Sequence, residues 1–114
     1  MSNNYTININ AGSSLVLPIE WKDQSGAAYN MSGYTARMQI RRNINSPDYQ
    51  IELTTENGRI QFINAAAGTF KLFISASDTA GLQNGVYDLE VEDSSGVVTR
   101  LLEGQVNVSK EVTR

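Results

Sequence analysis

The residues best suited to chemistry in this sequence are carboxylates that recur at every second position near its end. Asp88, Glu90 and Glu92 alternate with apolar residues, and Asp93 follows directly. Alternate positions of a β-strand share one face, where paired carboxylates can perform acid–base catalysis or bind Ca²⁺. No spaced Asp/Asn loop typical of a calcium site accompanies them. We favour a solvated strand face that discourages edge aggregation, because acidic residues spaced by two are ordinary on exposed strands.

Three arginines form a second group with the chemistry of a binding site. Arg37, Arg41 and Arg42 could hold a phosphate or a carboxylate ligand. They suit cross-strand pairing with Glu52 or with the acidic strand equally well, and that pairing requires no ligand. We therefore prefer the structural role.

Aromatic residues offer a third possibility, a platform on which sugar rings stack. Tyr5 and Tyr29 lie near the terminus or in loops and are expected to be exposed. The other candidates have the apolar parity of their strands and are expected in the core: Trp21, Tyr34, Tyr49 and Tyr87.

Composition excludes several kinds of chemistry. The chain has neither cysteine nor histidine, so disulfides, thiolate nucleophiles, imidazole bases and the usual zinc or copper ligands are absent. We expect no enzymatic activity and no catalytic, cofactor-binding or metal-binding residues. The net charge of -3 gives no basic footprint for nucleic acid, and no apolar run approaches the ~20 residues needed to span a bilayer. No secretory signal is recognised at the start.

Apolar–polar alternation predicts the elements that would position these groups. Eight short strands are expected, at about residues 5–10, 15–21, 34–41, 49–53, 60–62, 70–74, 87–91 and 98–108. Residues 77–82 predict one capped helical turn closed by glycine. The expected fold is a single antiparallel β-sandwich of about seven or eight strands spanning residues 1–114, with a small barrel as the alternative.

Four positions carry sharper predictions. Pro18 has outward parity, which predicts an edge strand or a bulge. Asn57-Gly58 predicts a tight hairpin between its flanking strands. Gly104 predicts a bulge or a close backbone contact midway along the last strand. Arg100 is the one polar residue with inward parity there.

Several stretches resemble small proteins encoded among the structural genes of tailed bacteriophages. The similar segments are INAGSSLVLPIEWKDQSGAAYNMSGY (9–34), GYTARMQIRR (33–42), AAGT (66–69) and YDLEVEDSSGVVTRLLEGQVNVSKEVTR (87–114). The resemblance implies an immunoglobulin-like β-sandwich similar to the N-terminal domains of baseplate and tail-fibre adaptor proteins. It also implies a virion protein made in the cytoplasm of the bacterial host, and it supplies no catalytic residues.

Three functions follow as hypotheses. The first is a non-enzymatic structural or assembly subunit of the virion tail, neck or baseplate, either an accessory or a fibre adaptor, present in several symmetric copies beside other virion proteins. Adaptors of that kind usually continue into a fibre or stem, and this sequence ends at Arg114. A capsid decoration protein is therefore the second hypothesis. A host-surface carbohydrate-binding module that uses exposed aromatics is the third.

An assembly surface needs only a strand edge or a modest patch. The candidates are the outward residues of the third predicted strand and the end of the chain: Arg37, Gln39, Arg41, Lys110, Glu111 and Arg114.

Overall fold

The computed structural model describes residues 3–23 and 25–110 of the chain. Nine strands are present in these ranges: β1 Asn3–Asn4, β2 Ile7–Asn10, β3 Leu15–Glu20, β4 Thr35–Arg41, β5 Ile51–Thr54, β6 Ile60–Asn64, β7 Thr69–Ile74, β8 Gly85–Glu92 and β9 Val98–Ser109. A 3-10 turn spans Ala65–Ala67, and the helical turn α1 spans Ala76–Thr79. No helix in these two ranges is both long and apolar enough to cross a membrane.

The strands form two sheets. One follows the order β1-β9-β8-β4-β5, with β2 also paired to β9, and the other follows the order β3-β7-β6. All pairs are antiparallel except that β1 and β2 run parallel to β9. The order corresponds to the variable-type immunoglobulin sandwich, in which strands B, E and D face G, F, C and C′. The predicted all-β sandwich with a short helical turn is confirmed, and no strand of the described ranges joins the two sheets into a barrel.

The core lies between the sheets because alternate side chains of each strand point inward. Met38 on β4, Leu72 on β7 and Leu89 on β8 are fully buried at its centre. The polar residues that alternate with the buried ones along each of these strands face outward. Each large apolar side chain buried in this way stabilises the fold by about 1.5–3 kcal/mol. The alternation of apolar and polar residues with a period of two therefore accounts for the strands and for the apolar faces that pack together in the sandwich.

The helical turn α1 is present, with different boundary residues from those predicted. Ser75 is its N-cap, and the Ser75 hydroxyl accepts a hydrogen bond from the N–H of Asp78 at 3.3 Å. The C-cap residue is Ala80, and Gly81 after it lacks the positive φ of a glycine that closes a helix. The 3-10 turn at Ala65–Ala67 was not predicted, because three alanines carry no turn signal of their own.

The predicted hairpin at Asn57-Gly58 is wrong. β5 pairs with β4, whereas β6 pairs with β7, so the chain crosses from one sheet to the other at this point. A two-residue type I′ turn requires positive φ at both central residues. Gly58 has a φ of 80°, but no residue other than glycine has a positive φ in the part of the chain described. The connection is therefore an arch between the layers.

Two predictions on β9 have opposite outcomes. The close backbone contact at Gly104 is confirmed, since a Cβ built there would lie 2.4 Å from the carbonyl oxygen of Tyr5. The inward placement of Arg100 is wrong. Leu89 pairs with Leu102 but Glu90 pairs with Arg100, so Leu101 is an extra residue that reverses the parity. Leu101 is buried, and Arg100 faces outward.

Candidate assembly surface

The outward-facing side chains of β5, β4, β8 and β9 form one charged sheet face, which we call the ladder face. The pairing of β4 with β8 brings Arg37 between two carboxylates. Its Nε lies 3.1 Å from Glu90 Oε1, and its Nη1 lies 3.2 Å from Glu92 Oε1. The hydrogen bond to Glu90, with that to Glu92, raises the pKa of Arg37 above its usual value. The cross-strand pairing that the sequence predicts for Arg37 is therefore present.

Gln39 and Arg41 form a second group on the ladder face. Gln39 Nε2 donates to Glu52 Oε2 at 2.8 Å, and Arg41 Nη2 donates to Gln39 Oε1 at 2.7 Å. Arg41 Nη1 donates to the carbonyl of Ser46 at 2.8 Å. Glu52 is thus bound by the amide of Gln39. Arg41 is linked to Glu52 through that amide, because it donates to the Gln39 oxygen.

Arg42 lies outside the ladder face. Its Nη1 donates to the carbonyl of Asn84 at 2.7 Å, so it joins the loop after β4 to the start of β8. The three arginines therefore do not converge on a shared ligand position, because each is directed to a different protein acceptor.

Asp88 and Arg100 form the third group. Arg100 Nε lies 3.6 Å from Asp88 Oδ2, and its Nη1 lies 3.8 Å from Glu103 Oε2. Burial raises the pKa of Asp88 above its usual value, and Arg100 opposes this effect. The acidic residues of β8 do not protect a sheet edge, contrary to expectation, because β8 lies between β9 and β4.

The ladder face is net acidic, since its carboxylates outnumber its arginines. Each exposed ion pair contributes only about 0–1 kcal/mol to stability. The pairs hold the long side chains in fixed positions, which lowers the entropy lost when a partner binds. Arg37, Gln39 and Arg41 share this face, and their role in assembly stays a prediction.

The aromatic residues divide into a buried group and an exposed group. Tyr87 is buried, while Trp21 and Tyr34 are partly buried against the core. Tyr29 is 39% exposed, and its ring stacks on Trp21 with centroids 3.8 Å apart and planes at 9°. Tyr34 meets Trp21 edge-on at 6.2 Å. Tyr5 is also exposed, so both expected exposures are confirmed.

The core placement predicted for Tyr49 is wrong. Tyr49 is 48% exposed because β5 begins only at Ile51, and the alternation therefore does not govern its direction. It lines an open cleft of about 390 Å³ beside β5, the arch that follows it and α1.

The same cleft contains an ion pair that sequence reasoning did not identify. Arg59 Nη2 donates to Asp78 Oδ2 at 3.0 Å, and Arg59 Nη1 donates to the carbonyl of Glu52 at 3.1 Å. The hydrogen bond from Arg59 is the largest cause of the lowered pKa of Asp78. Arg59 therefore joins β5, β6 and α1. No sequence signal links positions 59 and 78, because the contact depends on the arch after β5.

The end of the chain is described only in part. Lys110 is exposed just beyond β9, in agreement with a solvent-facing tail. Glu111 and Arg114, the other terminal residues assigned to the assembly surface, lie outside the described residues.

Sequence comparison adds no family assignment. Neither a protein-family model nor a curated protein matches the chain.

Proposed function

We propose that the chain is a non-enzymatic structural subunit of a tailed-bacteriophage virion, acting as an accessory or fibre-adaptor protein of the tail, neck or baseplate. The proposal is supported by the resemblance in residues 9–42, 66–69 and 87–114, together with the sandwich fold that this resemblance implies.

The observation that carries the proposal is the ladder face. Arg37 is held in place by Glu90 and Glu92 on the sheet that contains most of the strands. Gln39 is held by Glu52, and Arg41 by the side chain of Gln39 and a backbone carbonyl. A face whose polar groups are already positioned suits repeated, geometrically defined contacts with neighbouring virion proteins. Its acidic excess favours a partner with a basic surface.

Localisation in intact particles is the first test. We expect cryo-electron microscopy of the virion to show density for this sandwich at the tail, neck or baseplate, in symmetric copies. Particles that lack density for the chain would contradict the proposal.

A matched pair of variants tests the ladder face. Arg37→Glu reverses the charge between Glu90 and Glu92, and we expect it to reduce incorporation into particles. Lys71→Glu makes the same charge change on the outer face of the other sheet and is expected to leave incorporation unchanged. Both variants are first compared with the wild type by thermal unfolding. Equal incorporation of all three proteins would remove the ladder face from the assembly surface.

The terminus needs its own experiment, because Lys110, Glu111 and Arg114 follow the last strand. Deletion of residues 110–114 is expected to weaken incorporation. Unchanged incorporation would exclude the terminus from the assembly surface.

The capsid decoration role is distinguished by separating heads from tails and probing each fraction for the chain. We expect the signal in the tail fraction. A signal confined to heads would favour the decoration protein instead.

A carbohydrate-binding role is favoured by one observation, the exposed ring of Tyr29 stacked on Trp21. In that case Tyr29→Ala would abolish binding on a glycan array, because an exposed ring is the surface on which a sugar stacks. Tyr49→Ala is the control, since Tyr49 is also exposed but lies at the cleft beside β5 and α1. Absence of binding across a broad array would count against this role.

A further inference from the structure

The sheet edges of this protein differ in whether their backbone groups are blocked. An edge strand presents unpaired N–H and C=O groups to which another strand can pair. Five strands lie at such edges: β3 and β6 in the smaller sheet, and β5, β2 and the two-residue β1 in the larger one.

The β3 edge is blocked by proline. The Trp21 N–H donates to the carbonyl of Gly68 at 2.8 Å, which sets the odd-numbered residues of β3 as those bonded to β7. Pro18 therefore directs its backbone away from the sheet, at the middle of the edge. Since proline has no N–H, an incoming strand finds no donor there. The edge location predicted for Pro18 is confirmed.

The β5 edge is blocked by side chains. Asn57 Oδ1 accepts from the Thr54 N–H at 3.0 Å, and Asn57 Nδ2 donates to the carbonyl of Glu52 at 2.9 Å. Arg59 Nη1 also donates to that carbonyl. Asn57 therefore occupies the position that a neighbouring strand would take.

The β2 edge offers a single unblocked residue. Tyr5 and Ala11 donate their N–H groups to β9, which sets the odd-numbered residues as those bonded to it. Asn8 and Asn10 are turned outward, and the carbonyl of Asn10 already accepts from the Ser13 N–H at 3.0 Å.

The β6 edge is open. The Phe73 N–H donates to the carbonyl of Arg59 at 2.7 Å, so the alternation of the ladder turns the N–H and C=O groups of Ile60 and Phe62 away from β7. Within residues 3–23 and 25–110, no hydrogen bond engages these outward groups. The strand carries no charged residue, and Ile63 at its end is 60% exposed.

We propose that the β6 edge is a homodimer interface, in which β6 pairs antiparallel with β6 of a second copy about a twofold axis at Gln61. In this register Ile60 faces Phe62 of the second copy, so the outward N–H and C=O groups of both residues find partners. The two Gln61 side chains meet at the axis, where each amide offers a donor and an acceptor.

A second copy is the occupant that fits this edge best. The edge is uncharged, so two copies of an acidic chain approach there without like-charge contact. The β3 edge of another copy lacks a donor at Pro18, and Asn57 occupies the β5 edge, so neither matches the open β6 edge as well as a second β6 does. Self-pairing about a twofold axis also uses the same patch on both copies, which closes the assembly at a dimer. The unpaired edge is short, and the bulge at Ile63 ends the regular ladder, so we expect a weak, concentration-dependent dimer.

This inference does not depend on the virion role, because it concerns the purified chain. Sedimentation velocity over a concentration series is expected to show a monomer–dimer equilibrium. Gln61→Glu places two carboxylates directly opposite each other and is expected to raise the dimer Kd about fivefold, and Gln61→Arg should do the same. An equimolar mixture of the two variants should recover dimerisation as a heterodimer.

The control is Val16→Glu, which adds the same charge at the edge blocked by Pro18 and should leave the Kd unchanged. Thermal unfolding of each variant verifies that the fold is retained. A wild type that stays monomeric at every concentration would overturn the proposal. So would dimers that survive both Gln61 substitutions, or a mixture of the variants that remains monomeric.

Discussion

Tyr87 and Gly104 together hold the N-terminal edge onto the larger sheet. They face each other across β8 and β9, and the Tyr87 hydroxyl donates to the carbonyl of Tyr5 at 2.6 Å. Gly104 allows the same carbonyl to approach the backbone of β9. Two residues on neighbouring strands therefore position the chain between β1 and β2.

Replacement of Tyr87 by phenylalanine removes this hydrogen bond and keeps the ring. We expect a loss of about 1 kcal/mol in the free energy of unfolding at neutral pH, measured by urea denaturation. Burial raises the pKa of Tyr87 from 10.0 to about 12. A raised folded-state pKa contributes stability that is present below pH 10.0 and lost as the pH rises towards 12. Tyr87→Phe should therefore weaken the alkaline destabilisation, and an identical alkaline profile would contradict this assignment.

Gly104→Ala tests the close approach at β9. The added Cβ would lie 2.4 Å from the Tyr5 carbonyl oxygen, so we expect destabilisation of about 2 kcal/mol or more. Gly81→Ala is the matched control, because a Cβ there meets no atom within 4 Å, and its effect should stay within about 0.5 kcal/mol. Chemical denaturation of both variants measures the difference, and equal effects would refute the contact.

At the scale of elements, two loops use one arrangement of hydrogen bonds. Each follows the pattern Asp-x-Ser-Gly-x, at Asp23 and at Asp93. In both, the aspartate Oδ1 accepts from the N–H of the serine and of the residue after the glycine. In both, the aspartate carbonyl accepts from the glycine N–H. The repeat is visible in the sequence and predicts two equivalent turns, although only the second is the connection of a long hairpin, β8 to β9.

The arch between β5 and β6 depends on Asn57. Its side chain makes hydrogen bonds to the backbone of Thr54, Arg59 and Glu52. Asn57→Ala removes all of them, so we expect a loss of about 1–3 kcal/mol and self-association through the opened β5 edge. Thermal unfolding and light scattering measure the two effects.

A suitable control for that variant is Asn43→Ala, since Asn43 Oδ1 accepts only from the N–H of Asn45 within a surface loop. This substitution should cost less stability and cause no association. If Asn57→Ala behaves in the same way as this control, Asn57 does not protect the edge.

For the whole molecule, acid should weaken the fold through two carboxylates. Hydrogen bonds from Ser25 lower the pKa of Asp23, and Arg59 lowers the pKa of Asp78, each from an ordinary value of 3.8. A lowered folded-state pKa gives stability that is present above the unfolded value and is lost as the pH falls below it. These two carboxylates should therefore lower the Tm as the pH is taken from neutral to below 3.8, and the raised pKa of Asp88 should offset part of that loss.

The double variant Asp23→Asn/Asp78→Asn is the comparison for this acid effect. The amide introduced at position 23 keeps an acceptor oxygen for its loop, and neither substituted side chain titrates. The variant should begin with a lower Tm and lose less on acidification. Acid profiles that fall in parallel would show that other groups control the pH dependence.

The sequence by itself determined where eight of the strands lie and, for the regular ones, which face is buried. The alternation along β4, β7 and β8 was sufficient, because a period of two places apolar side chains on one face of any extended segment. The edge position of Pro18 and the close contact at Gly104 were also predictable, since each depends on what a single residue lacks, an N–H or a Cβ.

Only the tertiary structure decided which strands pair and where the regular pattern is interrupted. Asn57-Gly58 suits a hairpin locally, but β6 finds its partner in β7, and the turn becomes an arch. The extra residue Leu101 turns Arg100 outward to Asp88, a change that is invisible without the register of β8. The ladder face and the open β6 edge both depend on which strands pair with each other. That pairing joins segments distant in sequence, and local periodicity does not encode it.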